Sequence, residues 1–280
     1  DYNTAIGAFA LTTDTLGSKS VAVGSSALFT QNFTSATDTY NTAVGFNAGA
    51  LVTVGLRNTI IGGLTGDALT DADDNTAIGT QALSADTLGS GSTAIGQGAL
   101  GSQNFTGATT TYNTAVGHQA GVGISTGIQN SILGANAGDA LTDADYNVAI
   151  GSFALTADTK GGKNIAIGHS ALGTQNLTSS TDIYNVAIGH QAGVAITTAG
   201  TNTIIGGLAG ATMTAAGSSN VILGFQAGNV VTTPSNTFLG TRAGATMTTG
   251  EKNTILGRYD GNQGGLDIRT ASNNIVLSDG

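Results

Sequence analysis

The sequence contains no cysteine, no tryptophan and one proline among its 280 residues. The absence of cysteine excludes disulfide bridges and thiolate chemistry. Charged residues make up 9% of the chain, and the net charge of −9 is accompanied by no cluster of basic residues. Binding to nucleic acid requires such a basic surface, so we expect no nucleic acid partner.

Long apolar segments are also missing. No run of 18 apolar residues occurs, whereas a membrane-spanning helix needs about 20, so we expect no membrane insertion. No N-terminal secretion signal is recognisable. Because the chain begins at Asp1 within a repeat, we expect it to be a fragment of a longer protein.

Glycine is abundant, with 44 residues, and fifteen of these glycines close copies of one short phrase. The first copy is Asn-Thr-Ala-Ile-Gly at 3–7, and the last is Asn-Thr-Ile-Leu-Gly at 253–257. Most steps between successive closing glycines are 17 residues, three are 21, one is 18 and one is 16. The closing glycines are Gly7, Gly24, Gly45, Gly62, Gly79, Gly96, Gly117, Gly134, Gly151, Gly168, Gly189, Gly206, Gly224, Gly240 and Gly257. Such a short period indicates structural units that bury their apolar sides only by stacking on one another.

The aligned copies predict a short strand in each repeat. Asn stands four residues before the closing glycine in 13 of 15 copies, and Ile, Val or Leu always stands one residue before it. Short β-branched segments bounded by glycine are typical of strands. We predict an all-β fold, a parallel β-solenoid (β-roll) of about 15 coils of roughly 17 residues. Coils stacked at the strand spacing of about 4.8 Å would form a rod on the order of 70 Å long.

Two columns of the alignment have a direct physical interpretation. The Asn side chains can satisfy the backbone of their own turn and hydrogen-bond to the next Asn in the stack. The closing glycines indicate either a corner with positive φ or a close approach of two backbones.

The coils are of two kinds, which follow each other in pairs over a super-repeat of 72 residues. Leu-type coils have leucine four residues after the closing glycine: Leu11, Leu28, Leu83, Leu100, Leu155 and Leu172. Gly-type coils have glycine there and an apolar residue three positions later: Val52, Leu69, Ile124, Leu141, Ile196, Met213, Val231 and Met247. One large side chain thus fills the far side of each coil, as a close-packed core requires.

The predicted strand is apolar on both faces, which indicates burial on both. We expect the residue one before the closing glycine to point into the coil and the residue two before it to point outward. The largest members of that second column are predicted to lie at an interface between chains: Ile60, Ile132, Ile204, Ile222, Phe238 and Ile255. A continuous apolar stripe is an association surface, and the residues leave two or three chains as alternatives.

The phrase Asn-Thr-Ala-Ile/Val-Gly-x-x-Ala resembles the head repeats of trimeric autotransporter adhesins. The longer coils of this chain, with Gly-x-x-Ala-Gly at 117–121, look more like repeats of bacteriophage tail fibres. The resemblance covers essentially the whole chain. It implies a left-handed solenoid and a parallel homotrimeric rod.

The end of the sequence is similar to segments that lead towards a C-terminal trimerising chaperone in many phage fibres. It reads Leu-Asp-Ile-Arg at 266–269 and Asn-Asn-Ile-Val-Leu-Ser-Asp-Gly at 273–280. We therefore divide the chain into a repetitive β-solenoid shaft, 1–260, and a C-terminal transition segment, 261–280, that leads to a downstream domain.

Three coils carry a four-residue insertion, and loops on one face of a solenoid often provide its binding contacts. Polar groups beside an aromatic side chain suit a sugar, so the insertions are candidate receptor contacts. The alternative is that they are longer coils whose Phe and Tyr side chains pack back on the rod; Tyr40, Tyr112 and Tyr184 close the three inserted stretches. The candidates are Asn32, Phe33, Thr34, Asn104, Phe105, Thr106, Asn176, Leu177 and Thr178.

The remaining polar residues predict no cofactor, no metal site and no catalytic centre. The acidic loops around Asp71 and Asp143 lack the spacing of a calcium-binding loop and favour solvated surface segments. His118, His169 and His190 directly follow closing glycines, where we expect an outward turn. The chain has one glutamate and no motif for a catalytic nucleophile, so we expect that the protein is not an enzyme.

The favoured function is a structural and host-attachment fibre protein of the virion, the shaft of a trimeric phage tail fibre. The alternative is the head of a bacterial trimeric autotransporter-type adhesin on the extracellular surface, which binds host matrix or sugar. Partners would be other copies of the chain and a cell-surface glycan or protein. A weaker alternative is an ice-binding solenoid, whose Thr-x-Thr array is interrupted here by Val21, Val148, Ile165, Val186 and Val221.

Overall fold

The computed structural model describes residues 1–278, which contain β-strands and turns and no helix, hence none able to span a membrane. The chain divides into two units, Asp1–Asp143 and Ala144–Gly280. Each unit is a stack of parallel coils. The predicted all-β parallel β-solenoid is confirmed, with 16 strands of the repeat type within the described residues, one more than the copies of the phrase.

The first unit contains the strands β1 to β12. They are β1 (Thr4–Ile6), β2 (Gly17–Ser18), β3 (Val21–Val23), β4 (Thr37–Asp38), β5 (Thr42–Val44), β6 (Thr59–Ile61), β7 (Thr76–Ile78), β8 (Gly89–Ser90), β9 (Thr93–Ile95), β10 (Thr109–Thr110), β11 (Thr114–Val116) and β12 (Ser131–Leu133). The three-residue strands form one parallel sheet in the order β1-β3-β5-β6-β7-β9-β11-β12. Equivalent repeat positions pair, as Ala43 does with Ile60, so each coil contributes one strand.

The second unit has the same architecture. Its strands are β13 (Val148–Ile150), β14 (Gly161–Gly162), β15 (Ile165–Ile167), β16 (Thr181–Asp182), β17 (Val186–Ile188), β18 (Thr203–Ile205), β19 (Val221–Leu223), β20 (Thr237–Leu239), β21 (Thr254–Leu256), β22 (Asn262–Gln263), β23 (Leu266–Asp267) and β24 (Ile275–Leu277). The three-residue strands pair in parallel in the order β13-β15-β17-β18-β19-β20-β21-β24.

The two-residue strands mark the departures from the regular coil. The pairs β2–β4, β8–β10 and β14–β16 are parallel and lie where the three insertions lengthen a coil. In the C-terminal segment, β22 and β23 form an antiparallel pair before β24 returns to the main sheet. Residues 279 and 280 lie outside the described part of this segment. That it leads to a downstream domain stays a prediction.

The strands face the opposite way from the prediction. The six predicted interface residues are all buried inside their own coils: Ile60, Ile132, Ile204, Ile222, Phe238 and Ile255. Their assignment to an interface between chains is therefore wrong. Alternation along a strand fixes which residues share a face, but it does not by itself fix which face is inner. The neighbouring column, one residue before the closing glycine, points outward.

The two coil types fill the same core from different positions, as predicted. In Leu-type coils, leucine adopts a left-handed backbone, as Leu28 does with φ of 49°, and its side chain is buried. In Gly-type coils the same backbone position is glycine. A Cβ atom added at Gly49 would lie 2.8 Å from Ile60 Cδ1 and 3.3 Å from Val52 Cγ2. Gly-type coils therefore have no leucine side chain at this position, and inner residues such as Ile60 and Val52 fill the space instead.

The predicted asparagine ladder is confirmed. Asn41 Nδ2 donates to Gly55 O at 2.7 Å, and Asn41 Oδ1 accepts a hydrogen bond from Asn58 N at 2.9 Å. Asn58 repeats both contacts with Ala72 O and Asn75 N. These side chains are buried, where an unpaired amide would be costly. Each of these two Asn side chains thus links its coil to the next and satisfies the backbone at the corner of the next coil, not that of its own turn as predicted.

One side chain breaks this pattern of satisfied polar groups. Asp67 Oδ1 is buried and has no hydrogen-bond partner among residues 1–278. Burial raises the pKa of the Asp67 carboxyl. One super-repeat later, Asn136 Nδ2 donates to the equivalent carboxylate of Asp139 at 3.4 Å. Leu64 stands in the position of Asn136, so Asp67 lacks the amide.

We expect Leu64→Asn to stabilise the first unit by about 1 kcal/mol, because it supplies this amide and because Asn tolerates the φ of 54° better than Leu. Urea unfolding measures the change. The control is Leu208→Asn, which has the same backbone conformation, with φ of 58°, but has Ala211 in place of the aspartate. An equal gain in both variants would show that the backbone alone is responsible.

The same carboxyl predicts a pH dependence. Because the pKa of Asp67 is raised in the folded protein, protonation of this group favours the folded state. Its contribution to stability is largest below the unfolded pKa of about 4 and is lost as pH rises through the raised folded value. Leu64→Asn should reduce this loss.

Candidate functional site

Each unit presents an outward sheet face, formed by the first and last residues of its three-residue strands. In the first unit the first-residue column is Thr4, Val21, Thr42, Thr59, Thr76, Thr93, Thr114 and Ser131. The last-residue column is Ile6, Val23, Val44, Ile61, Ile78, Ile95, Val116 and Leu133. All of these residues are exposed or half-buried. The face thus combines a mostly hydroxyl column with an aliphatic one.

The outward sheet face of the second unit is more apolar. Its first-residue column is Val148, Ile165, Val186, Thr203, Val221, Thr237, Thr254 and Ile275. Its last-residue column is Ile150, Ile167, Ile188, Ile205, Leu223, Leu239, Leu256 and Leu277. None of these residues is charged. An uncharged strip with an aliphatic residue in every coil has the composition of an association surface.

The insertions hold apolar residues that pack inward and polar residues that remain accessible. Phe33, Phe105 and Leu177 are buried, so their prediction as receptor contacts is wrong. The alternative is correct for the two phenylalanines and wrong for the tyrosines, since Tyr40, Tyr112 and Tyr184 are exposed. The polar candidates are all exposed: Asn32, Thr34, Asn104, Thr106, Asn176 and Thr178. Receptor contact by these six stays a prediction.

A buried hydrogen-bond network that the sequence analysis missed anchors each insertion. Gln103 Nε2 donates to Asp86 Oδ2 at 2.5 Å and to Ser92 Oγ at 2.9 Å, and Gln103 Oε1 accepts from Asn113 Nδ2 at 2.8 Å. Asp86 Oδ1 also accepts from the backbone N–H of Phe105 at 3.1 Å. Gln31 and Gln175 make the equivalent bonds to Asp14 and Asp158. The signal was the Asp that precedes each of these Gln residues by 17 positions.

Replacing Gln103 by leucine should therefore destabilise the first unit by about 2–3 kcal/mol, because buried Asp86 and Asn113 would lose their partner. The matched control is Gln97→Leu, at an exposed position of the same coil, where we expect a change within about 0.5 kcal/mol. Chemical unfolding followed by circular dichroism measures both. Equal stability of the two variants would contradict the role of the network.

Exposed tyrosines recur at one position of the repeat. Five of the six tyrosines directly precede the ladder asparagine or its equivalent: Tyr2, Tyr40, Tyr112, Tyr146 and Tyr184. All five are exposed. Their φ angles lie between 50° and 64°, a left-handed conformation that is unfavourable for a bulky residue. We call this column the tyrosine ridge.

In the first unit, the ridge carries what we call the Lys19 corner, formed by Tyr2, Lys19, Asp38 and Tyr40. Lys19 Nζ donates to Asp38 Oδ2 at 2.7 Å and to Tyr40 Oη at 3.1 Å, and it lies 5.1 Å from the Tyr40 ring centroid. The hydrogen bond to Asp38 raises the pKa of Lys19, and the same contact lowers the pKa of Asp38. Both groups are therefore charged at neutral pH.

In the second unit, the Lys163 corner is formed by Tyr146, Lys163, Asp182 and Tyr184. Lys163 Nζ donates to Asp182 Oδ2 at 2.6 Å and lies 5.7 Å and 5.4 Å from the ring centroids of Tyr146 and Tyr184. The bond to Asp182 raises the pKa of Lys163. The arrangement of the Lys19 corner is thus repeated two super-repeats later.

The intermediate super-repeat has a reduced version, the Gly91 corner, formed by Asp74, Gly91, Thr110 and Tyr112. Glycine and threonine replace the lysine and aspartate, while the exposed tyrosine is kept. A Cβ atom added at Gly91 would lie 3.4 Å from Tyr112 Cδ1. The Gly91 corner is therefore an internal control for the Lys19 and Lys163 corners.

The remaining sequence candidates show no convergent site. Arg57 pairs with Asp73 and Asp74 at 3.4 Å and 2.6 Å, and within residues 1–278 no three metal-ligating side chains come together. The three histidines are exposed, as predicted for an outward turn. His169 and His190 stack with ring centroids 5.4 Å apart.

Comparison with known proteins adds no further constraint on this surface chemistry. Neither a scan against protein-family models nor searches of curated proteins and of solved structures found a match to this chain.

Proposed function

We propose that the chain is the shaft of a homotrimeric attachment fibre of the phage tail-fibre type. The observation that carries this proposal is the outward sheet face, which is uncharged and aliphatic in every coil of both units. Each coil already closes its own core with the inner column. The outward columns are therefore not needed to complete the fold of one chain.

Burial of this face against sister chains has a clear driving force. Half-exposed Ile, Val and Leu side chains would each contribute roughly 1 kcal/mol on being covered, and the contribution repeats coil after coil. Parallel chains in the same register would place like residues against like residues along a common axis. The resemblance to fibre and adhesin repeats supports three chains and a left-handed coil.

The function of such an assembly is mechanical. Backbone hydrogen bonds and the asparagine ladder link each coil to the next, and the core is built of buried alanine side chains interleaved with larger aliphatic ones. A close-packed stack of this kind has low compressibility. A trimer would hold a receptor-binding part at a fixed distance from its particle and resist proteolysis.

The concentration dependence of melting tests the proposal. The melting temperature of a trimer rises with protein concentration, because dissociation accompanies unfolding. We expect the melting temperature to fall across a hundredfold dilution series. A melting temperature that does not change with concentration would contradict a trimeric shaft.

A second candidate, an ice-binding solenoid, is favoured by one observation in the first unit. Seven of the eight residues in its first-residue outward column carry a hydroxyl group. This candidate needs the face open to water, whereas the shaft needs it covered. Thermal hysteresis of the purified chain would support ice binding, and its absence together with concentration-dependent melting would support the shaft.

A further inference from the structure

The distribution of tyrosine needs an explanation that the shaft does not provide. Five of six tyrosines lie on the tyrosine ridge, with exposed rings and left-handed backbones. Gly91 shows that glycine, the residue best suited to this backbone, also occurs in the column. Strained positions that hold bulky exposed side chains are often associated with function.

At two corners, the tyrosines stand beside a paired donor and acceptor. The ammonium and carboxylate groups of Lys19 and Asp38 lie 2.7 Å apart, and those of Lys163 and Asp182 lie 2.6 Å apart. All four side chains remain more than a third exposed. Adjacent hydroxyl groups of a sugar can donate to such a carboxylate and accept from such an ammonium group. The C–H face of the sugar ring packs on an aromatic ring.

The charge of the corners favours a neutral sugar. Each lysine is already neutralised by its aspartate, and the chain as a whole carries a net charge of −9. An acidic glycan would therefore find no free cation at these corners and would be repelled by the chain. A neutral glycan needs only hydrogen-bonding groups and an apolar platform.

We propose that the Lys19 and Lys163 corners bind neutral, hydroxyl-rich glycan chains, with Tyr40 and Tyr184 as the stacking platforms. These two rings are 54% and 52% exposed. The proposal deepens the attachment function and rests on it, since it gives the shaft two lateral contacts of its own in each chain. The Gly91 corner has Gly91 and Thr110 in place of the ion-paired lysine and aspartate and therefore does not bind.

Saturation-transfer NMR and calorimetry of the whole chain test the proposal, with cellohexaose, maltohexaose and mannohexaose as neutral probes and hexagalacturonate as the acidic probe. We expect at least one neutral probe to bind with a Kd of about a millimolar or lower, a weak affinity suited to repeated contacts. Tyr40→Ala/Tyr184→Ala and Asp38→Asn/Asp182→Asn should each weaken binding at least fivefold. The matched control Tyr112→Ala should change it less than twofold.

The proposal would be overturned by absence of binding by all three neutral probes, or by preference for hexagalacturonate. An equal loss in Tyr112→Ala would also contradict it. Melting of each variant shows that the fold is kept. If no sugar binds while the mass of three chains is retained, this inference fails alone. If sugar binds to a single chain, the trimeric shaft fails and the glycan corners remain.

Discussion

Gly96→Ala is expected to lower the free energy of unfolding of the first unit by at least about 3 kcal/mol. Gly96 has a φ of 132°, which is strongly unfavourable for alanine. An added Cβ atom would lie 2.3 Å from Gly117 O and 2.6 Å from Gly117 C in the next coil. These obstructing atoms are backbone atoms held in the parallel ladder, so they cannot move aside as a side chain would.

The matched control for this substitution is Gly63→Ala. No atom of the described residues lies within 4 Å of a Cβ atom added at Gly63, and its φ is not in the left-handed range. Urea unfolding followed by circular dichroism should show a change within about 0.5 kcal/mol for this control. Equal stability of Gly96→Ala and Gly63→Ala would show that the coils are not packed as closely as described.

Two neighbouring residues of β12 are expected to respond to the same substitution in opposite ways. Ile132 is 2% exposed and Leu133 is 50% exposed. Ile132→Asp places a carboxylate inside a coil core without a partner, and a loss of about 4 kcal/mol or more is expected. Leu133→Asp is expected to leave the single chain folded, because its side chain points away from the core, and to dissociate the proposed trimer by placing like charges near one another.

Circular dichroism and solution mass separate these two effects. Leu133→Asn, which is polar but uncharged, is the control for the charge and should weaken association less than Leu133→Asp. Unchanged mass for Leu133→Asp would show that the outward sheet face is not the interface. A stable, folded Ile132→Asp variant would contradict the assignment of the inner column.

The repeat made several features of the fold predictable. A closing glycine such as Gly96 and a ladder residue such as Asn41 recur at nearly constant spacing, and a stack of coils turns that spacing into direct contact. The alignment also predicted that an apolar residue such as Val52 replaces the core leucine in Gly-type coils, because a core of constant width needs one large side chain in each coil. Handedness and chain number do not follow from spacing.

Which face of each strand points into the core was predicted wrongly, although the sequence contained the information needed to assign it. Both candidate columns are apolar, so hydrophobicity alone could not rank Ile60 against Ile61. The first strand residue is often threonine, as at Thr59, and alternation places it on the same face as Ile61. Hydroxyl-bearing side chains in a short strand favour the solvent-exposed face. The threonine column would therefore have identified the outward face.

The buried networks and the Lys19 and Lys163 corners depend on contacts across coils that propensity does not encode. Gln103 reaches Asp86 in one neighbouring coil and Asn113 in another, so its burial follows only from the stacked structure. Lys19 lies over Tyr40 because the two residues occupy the same repeat position in successive coils. The concentration of tyrosines in one column was visible in the alignment, but its exposure was not.

Solution mass by analytical ultracentrifugation is the most direct test of the central claim that the outward sheet face joins three chains. The proposal predicts a single species of three times the 27.4 kDa of one chain, which persists on dilution to micromolar concentration. A species of 27.4 kDa that remains folded, with the outward columns open to water, would contradict it.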